Sequence, residues 1–490
     1  MSRWREWSDG IARGRGGEVR RALLAVRIPS LERGDRVPFA NLCWRAGLPE
    51  LGVRALHAVV RPPPSQAPSA ELAERAEYAQ CLIKNGSVEE GMALLVGTDP
   101  AEVPQTLFFR MSALVAQWNY RDAIPVLRQY LAIPSLGAYA RLVAEVNLAA
   151  AMVHERQLRE ATPLLRQLLY TASLRGYRLM LGRVMEIAAE NFIEAGRWRE
   201  AREFLAEAQS RLAASEGIDA FFVRKYQAVV AFLEARGARG SDEMTAVRAE
   251  ALARGHWETA RDCDRVLALP TKDPASWLPL YFGTPFRHYR ERLLIDMGAE
   301  PTACPPYFDR AWQAAGYRDP ALDLFTGAVR GAGEGLKPGA LLHRLVLALS
   351  CDFYRPISLA TLFHRLYPAR FYHPRNSPPL VHDGLARLRG WLRDAALPLR
   401  IAEHSGHYEL QATAPVSIRI PAPEALELPH AALLEGLRRA SRVDPFSISD
   451  AIGWLGLPRR TVLRILQQAC SGEVLERMGK GRFTRYHFRK

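Results

Sequence analysis

Between about residues 17 and 270 one pattern keeps returning: a polar turn, a small residue, then apolar residues three and four positions further on. It reads Asn85-Gly-Ser-Val-Glu-Glu-Gly91-Met-Ala-Leu-Leu95, Trp118-Asn-Tyr-Arg-Asp-Ala123-Ile-Pro-Val-Leu127, Arg156-Gln-Leu-Arg-Glu-Ala161-Thr-Pro-Leu-Leu165 and Gly196-Arg-Trp-Arg-Glu-Ala201-Arg-Glu-Phe-Leu205. Leu48-Pro-Glu-Leu-Gly52-Val-Arg-Ala-Leu56 fits less closely at the front, and His256-Trp-Glu-Thr-Ala260 is a degenerate last copy. The small residue falls at 52, 91, 123, 161 and 201, at intervals of 39, 32, 38 and 40. A small side chain there lets the second helix of a hairpin approach the first, and the apolar positions beyond it face the next repeat.

The pattern resembles tetratricopeptide repeats, whose period is about 34 residues, with long and variable helices. That resemblance implies a superhelix with a groove for a peptide, protein or small effector. Residues 1–68 form an N-terminal helical segment ending in Pro62-Pro-Pro-Ser-Gln-Ala-Pro-Ser69, a stiff connection, and residues 69–270 hold the repeats. Residues 271–319, rich in proline and aromatics, read as a helical bridge.

Beyond the bridge the character changes. Leu322-Asp-Leu-Phe-Thr326 suits a short strand, and helices are expected from Pro338 to Cys351 and from an N-capping Ser358 to Leu366. A third, opened by Pro378-Pro379, runs to about Ala395, and Leu399 to Leu410 forms a hairpin turning at Ser405-Gly406. Three helices and a hairpin make a winged helix over 320–414. In its third helix Val381, Leu385, Leu388 and Leu392 recur at helical spacing and point inward. Asp383, Ala386, Arg387, Gly390 and Arg393 then point outward, flanked by His382 and Arg389. Outward arginines suit phosphates or guanine edges.

Val381-His-Asp-Gly-Leu-Ala-Arg-Leu-Arg-Gly-Trp-Leu392 with Gly406-His-Tyr-Glu-Leu410 resembles the OmpR/PhoB-type winged helix. That version accompanies tetratricopeptide-like repeats in the bacterial antibiotic-regulatory activators. The resemblance implies a recognition helix in the major groove and a wing on the adjacent minor groove. Here the winged helix follows the repeats, the reverse of those activators, and His382 stands where response regulators commonly carry aspartate.

After a proline-rich linker, Pro415 to Pro429, a second winged helix is expected over 429–490. Its helices run from His430 to Ala440, Ile448 to Leu455 and Leu457 to Ala469, with a turn at Gly456 and a hairpin from Glu473 to Phe488 tipped by Gly479-Lys480-Gly481. It resembles the winged helix-turn-helix of many bacterial repressors. Arg459, Arg460 and Arg464 fall on its third helix, and Lys480, Arg482 and Arg485 on its wing.

Charge points the same way. The chain carries 66 Lys and Arg against 52 Asp and Glu, a net +14. Only six of those basic residues are lysine, a bias that suits GC-rich bacterial coding, so where the charge lies counts for more than its chemistry. Residues 430–490 hold twelve Lys/Arg against five Asp/Glu, which is +7 and half the excess.

Catalytic signals are weak. Gly331-Ala-Gly-Glu-Gly-Leu-Lys-Pro-Gly339 lacks the spacing of a phosphate loop, with Pro338 where Ser or Thr belongs. His404 and His407 have no third metal ligand near them, and neither G-x-S-x-G nor H-E-x-x-H occurs. No enzyme activity, metal or cofactor is expected. The six cysteines lie far apart, without a C-x-x-C pair, as in a reducing compartment. Met1 to Gly10 place acids and glycine where a secretory leader needs an apolar core, and no stretch nears the ~20 apolar residues of a membrane span.

The fold expected is mainly α: a tetratricopeptide-like solenoid followed by two small α+β winged helices. The function expected is a bacterial cytoplasmic DNA-binding transcription regulator. Its partners would be double-stranded DNA, a protein or small effector in the repeat groove, and a second copy of the chain as a homodimer, with no membrane. The rival reading is a non-catalytic interaction scaffold whose winged helices pack against protein.

Overall fold

A computed structural model describes residues 3–12, 15–63, 70–212, 218–235, 240–312, 320–331, 335–368, 370–423, 434, 437–438, 440–441, 445–455, 459–479 and 481–489. The chain forms two units. One comprises residues 1–273, 286–293 and 371–376; the other comprises 274–285, 294–370 and 377–490.

The first unit is helical. It begins with α1 (Arg3–Ala12), α2 (Gly16–Leu24), α3 (Arg33–Arg45), α4 (Pro49–Val60), α5 (Leu72–Asn85) and α6 (Val88–Leu95). It continues through α7 (Gln105–Ala116), α8 (Tyr120–Leu131), α9 (Ala138–His154), α10 (Leu158–Leu174), α11 (Arg178–Glu194) and α12 (Trp198–Leu212). Last come α13 (Ile218–Glu234), α14 (Ser241–Ala253) and α15 (Trp257–Ala268). From α3 to α12 consecutive helices pack as hairpins, and α14 pairs with α15.

Each recurring small residue lies in the second helix of its hairpin and is buried, from Gly52 and Gly91 to Ala123, Ala161 and Ala201. The degenerate copy behaves alike, with Ala260 buried in α15. The approach is close: a methyl at Gly91 would come within 2.7 Å of the Ala79 carbonyl oxygen on α5. Local chemistry sets the ends of these helices. Asn119 caps α8 by accepting from the Asp122 amide at 3.1 Å, and Gly86 leaves α5 at φ +99°.

Two distant segments complete this unit. The Tyr289 ring stands edge-on to Trp118 at 4.8 Å, and Arg292 donates to the His154 carbonyl and, at 2.9 Å, to Glu194. Trp118, His154 and Glu194 lie at the turns of three successive hairpins, so residues 286–293 run along that edge. Residues 371–376 join at α4 and α6, where the Tyr372 amide donates to Glu90 at 2.8 Å and the rings of His57 and His373 meet at 4.4 Å. By sequence these segments fall in the expected bridge and in the first winged helix.

The second unit contains α16 (Pro274–Phe282) and the end of α17 (Arg287–Met297), followed by β1 (Tyr307–Trp312) and β2 (Leu322–Asp323). The bridge is therefore helical only in part. Its strand β1 pairs antiparallel with β6 (Val416–Pro421), and β2 pairs parallel with the other edge of β6. This corrects the linker reading, because residues 416–421 are the buried central strand of a sheet. The rest of that linker, 424–429, lies outside the described residues.

The first winged helix is built from α18 (Leu341–Ser350), β3 (Ile357–Ser358), α19 (Leu359–Leu366), α20 (Ser377–Asp394), β4 (Leu399–His404) and β5 (His407–Ala412). Ser358 caps α19 as expected, accepting from the Thr361 amide at 3.2 Å. The hairpin turns at Ser405 and Gly406, both with positive φ (50° and 75°), as a two-residue loop of primed type requires. Strand β3 adds to β5, giving the order β3-β5-β4. His343 of α18 is buried with both ring nitrogens engaged: one accepts from the Gly339 amide at 3.1 Å, and the other lies 2.8 Å from the Leu324 carbonyl.

The second winged helix contains α21 (Ile448–Leu455), α22 (Arg459–Ser471), β7 (Leu475–Met478) and β8 (Arg485–Phe488). Of its expected first helix, residues 434, 437, 438 and 440 are described, and all are helical. The Gly456 turn lies outside the described residues. Phe446 and Tyr486 exchange backbone hydrogen bonds, a single antiparallel bridge that ties residue 446 to β8 of the two-stranded hairpin. Leu437, Phe446, Val462, Ile465, Leu466 and Leu475 fill the core.

Candidate nucleic-acid interface

The face of α20 follows from its buried stripe. Val381, Leu385, Leu388 and Leu392 are at most 2% exposed, which turns His382, Asp383, Ala386, Arg387, Arg389 and Arg393 into solvent. Gly384 lies inward, with Leu345 of α18 beside it. The three arginines form no ion pair among the described residues. His382 is held differently: its Nε2 lies 3.1 Å from the hydroxyl of Tyr408, a buried residue of β5. The histidine therefore ties the third helix to the wing strand. The wing itself is of mixed charge, with Arg400 bonded to Gln411 at 2.7 Å and Glu403 and Glu409 nearby on β4 and β5.

In the second winged helix Val462, Ile465 and Leu466 are fully buried, leaving Arg459, Arg460 and Arg464 of α22 exposed. These too form no ion pair among the described residues. Arg485 of β8 is exposed, and among the described residues its guanidinium bonds the neighbouring Thr484 carbonyl, at 3.3 Å. Lys480 and the Arg482 side chain lie outside the described residues. Arg477 on β7, which the sequence reading passed over, is exposed as well. Basic residues at the far end of the hairpin are already engaged: Arg489 meets Glu473 at 3.4 Å, and His487 meets Glu476 at 3.7 Å.

The repeats use their arginines otherwise. Arg33 pairs with Glu74 (2.7 Å), Arg128 with Glu160 (2.8 Å), Arg156 with Glu194 (3.1 Å) and Arg248 with Asp264 (2.6 Å). Many charges there are compensated in place, whereas the arginines on α20 and α22 face solvent without an ion pair among the described residues. An exposed guanidinium keeps its hydration at little cost and offers a planar fork to a phosphate.

The repeats also bury charge, which the sequence pattern gave no sign of. Lys225 of α13 pairs with Asp262 of α15 at 2.7 Å, and Arg265 bonds Asp262 at 3.0 Å. His154 stacks on Tyr120 at 4.2 Å, and burial pushes its imidazole down to about 4. Burial also raises the neighbouring Glu190 carboxyl above its ordinary range. Isolated polar residues in a helical stripe look alike in sequence whether they end in solvent or against a partner two helices away.

Among the described residues no group of three or more His, Cys, Asp or Glu side chains could hold a metal ion, and no helix is long and apolar enough to cross a membrane. All six cysteines are free thiols. No family model matches the chain, and no curated protein matches it.

Proposed function

We propose that this chain is a DNA-binding transcription regulator of bacterial type, similar in its parts to the antibiotic-regulatory activators but with the domain order reversed. The observation that carries the reading is the set of exposed arginines on both third helices that form no ion pair among the described residues: Arg387, Arg389 and Arg393 on α20, and Arg459, Arg460 and Arg464 on α22. In a winged helix that surface enters the major groove. The second winged helix also holds the most basic stretch of the chain, with Arg485 and, by sequence, Lys480 and Arg482 on its wing. Its wing suits the phosphate backbone better than the mixed-charge wing of the first. The repeats would receive the protein or small effector, and a homodimer would place two recognition helices on one duplex.

Titrating the full chain against random duplex from about 50 to 200 mM salt tests this, because neutralised phosphates release counterions with a log–log slope of about −0.9 each. Binding should weaken steeply with salt, and replacing Arg459, Arg460 and Arg464 with glutamine should flatten the slope by up to about three. A folded protein that fails to bind duplex at about 50 mM salt, where charges are only partly screened, would overturn the reading.

One observation favours a scaffold instead. Trp454, Met478 and Phe483 of the second winged helix are exposed (41%, 40% and 69%), a surface suited to packing on protein. That reading expects negligible duplex binding and a co-purifying protein that covers Phe483.

A further inference from the structure

A cleft of about 470 Å³ opens in the first unit among α1, α3, α5 and α7. Its apolar wall is Trp4, Leu42 and Phe109, all buried. Its polar wall carries two opposite charges that do not pair. Glu77 of α5 is only 6% exposed, and its Oε1 accepts from Trp44 Nε1 at 2.6 Å and from Asn41 Nδ2 at 3.3 Å. Arg45 of α3 donates through Nη1 to Ser8 Oγ at 2.8 Å and to Asn41 Oδ1 at 3.4 Å. The Asn41 carboxamide thus stands between the carboxylate and the guanidinium, touching one with its nitrogen and the other with its oxygen. Glu77 Oε2 and Arg45 Nη2 are left without a protein partner among the described residues.

Two half-satisfied, largely buried charges of opposite sign are costly unless something completes them. What would complete both at once is a molecule with a cation and an anion spaced much as the Asn41 amide spaces its own donor and acceptor. A free α-amino acid has that form, and the aromatic wall suits an apolar side chain. We infer that this cleft binds a free amino acid with an apolar side chain, its ammonium on Glu77 Oε2 and its carboxylate on Arg45 Nη2.

The electrostatics agree. Burial pushes the Glu77 carboxyl up to about 7, although Trp44, Asn41 and Arg45 all act to lower it. Burial also lowers the Arg45 guanidinium. The other ionisable groups nearby include the Cys81 thiol on α5, Arg5 of α1 at the rim and Tyr139 of α9, which acts on Arg45; from α7, Gln105 and Phe109 line the cleft. An ammonium at Oε2 supplies the countercharge that Glu77 lacks, so binding near neutral pH should release a proton from it. This inference gives the effector of the proposed regulator a place, but it rests on the first unit alone, and DNA is absent from its test.

The test is isothermal titration of the full chain with L-phenylalanine and L-leucine, then with phenethylamine and 3-phenylpropionate, which each keep one charge. The amino acids should bind, with each one-charge analogue at least roughly tenfold weaker, or about 1.4 kcal/mol. Repeating the titration at neutral pH in buffers of different ionisation enthalpy should reveal the released proton. Glu77→Gln keeps an acceptor for Trp44 and Asn41, and it should abolish the proton release and weaken binding at least roughly tenfold. Arg45→Gln should weaken the carboxylate-bearing ligands while leaving phenethylamine unchanged, a readout that survives if Glu77→Gln fails to fold. No binding of either amino acid at millimolar concentration, or equal binding of the one-charge analogues, would overturn the inference.

Discussion

His382 on α20 and Tyr408 on β5 meet at 3.1 Å, so the third helix and the wing of the first winged helix are joined by a hydrogen bond at the surface as well as by the core beneath. Tyr408→Phe keeps the buried ring and removes only the hydroxyl. It should cost about 0.5–1.5 kcal/mol of stability for each bond the hydroxyl makes, to His382 and to Glu403, read from a denaturant midpoint at unchanged slope. If helix and wing grip DNA together, duplex affinity should fall as well. A stability loss without an affinity loss would restrict this bond to scaffolding.

Arg387 and Arg393 are exposed on α20, away from its buried stripe. The double alanine variant should keep its melting temperature and lose about 1–3 kcal/mol of specific binding for each bidentate base contact removed. Competition between an authentic site and random duplex measures it. Equal losses on both would make these residues phosphate contacts rather than readers of sequence.

The buried stripe predicts the opposite signature. Leu388 is fully buried, so Leu388→Ala should cost about 2–5 kcal/mol. Its duplex binding should recover at temperatures where the variant is still folded.

In the repeats, even the smallest enlargement at Gly91 should be felt. A Cβ there would lie 2.6 Å from Ile83 Cγ1 and 2.7 Å from a backbone oxygen that has no easy way to move. Gly91→Ala gains helix propensity, but overpacking of about 1–3 kcal/mol outweighs the roughly 1 kcal/mol that alanine contributes. A thermal melt of the full chain should show its first transition lowered.

His154 sets a pH dependence with a definite sign. Its pKa falls from an ordinary 6.5 to about 4, chiefly through burial, with Arg265, Arg292 and Arg183 acting in the same direction and Asp262 against it. As pH falls below 6.5, the unfolded chain takes up a proton that the native site refuses until about 4. Stability should therefore decline across that window, and His154→Gln should flatten the decline relative to wild type. The raised carboxyl of Glu190 works in the opposite sense, losing stability as pH rises. The difference between variant and wild-type melts, taken pH by pH, isolates the histidine. An unchanged acid limb in the variant would contradict the assignment.

The repeats were legible in sequence because close helix approach demands a small side chain at one fixed place. Gly52, Gly91, Ala123, Ala161 and Ala201 declared that place without reference to anything distant. The stripe from Val381 to Leu392 fixed the outward face of α20 in the same local way, since helical geometry alone decides which residues share a side. The central strand β6 was not legible. Val416, Ile418 and Ile420 alternate, but prolines flank them, and Ser417 between them is buried too, so the two-sided burial of a central strand removes the polar half of the pattern. Its identity comes from Tyr307–Trp312, more than a hundred residues earlier, where Asp309 faces Arg419 and takes two hydrogen bonds of 2.7 Å from its guanidinium. The Glu77–Asn41–Arg45 arrangement is of the same kind, because helices α3 and α5 each carry one of its charges and only their packing brings an amide between them. Periodicity reports what a residue's own helix or strand requires; which distant partner satisfies a polar group is settled when the chain closes and water leaves.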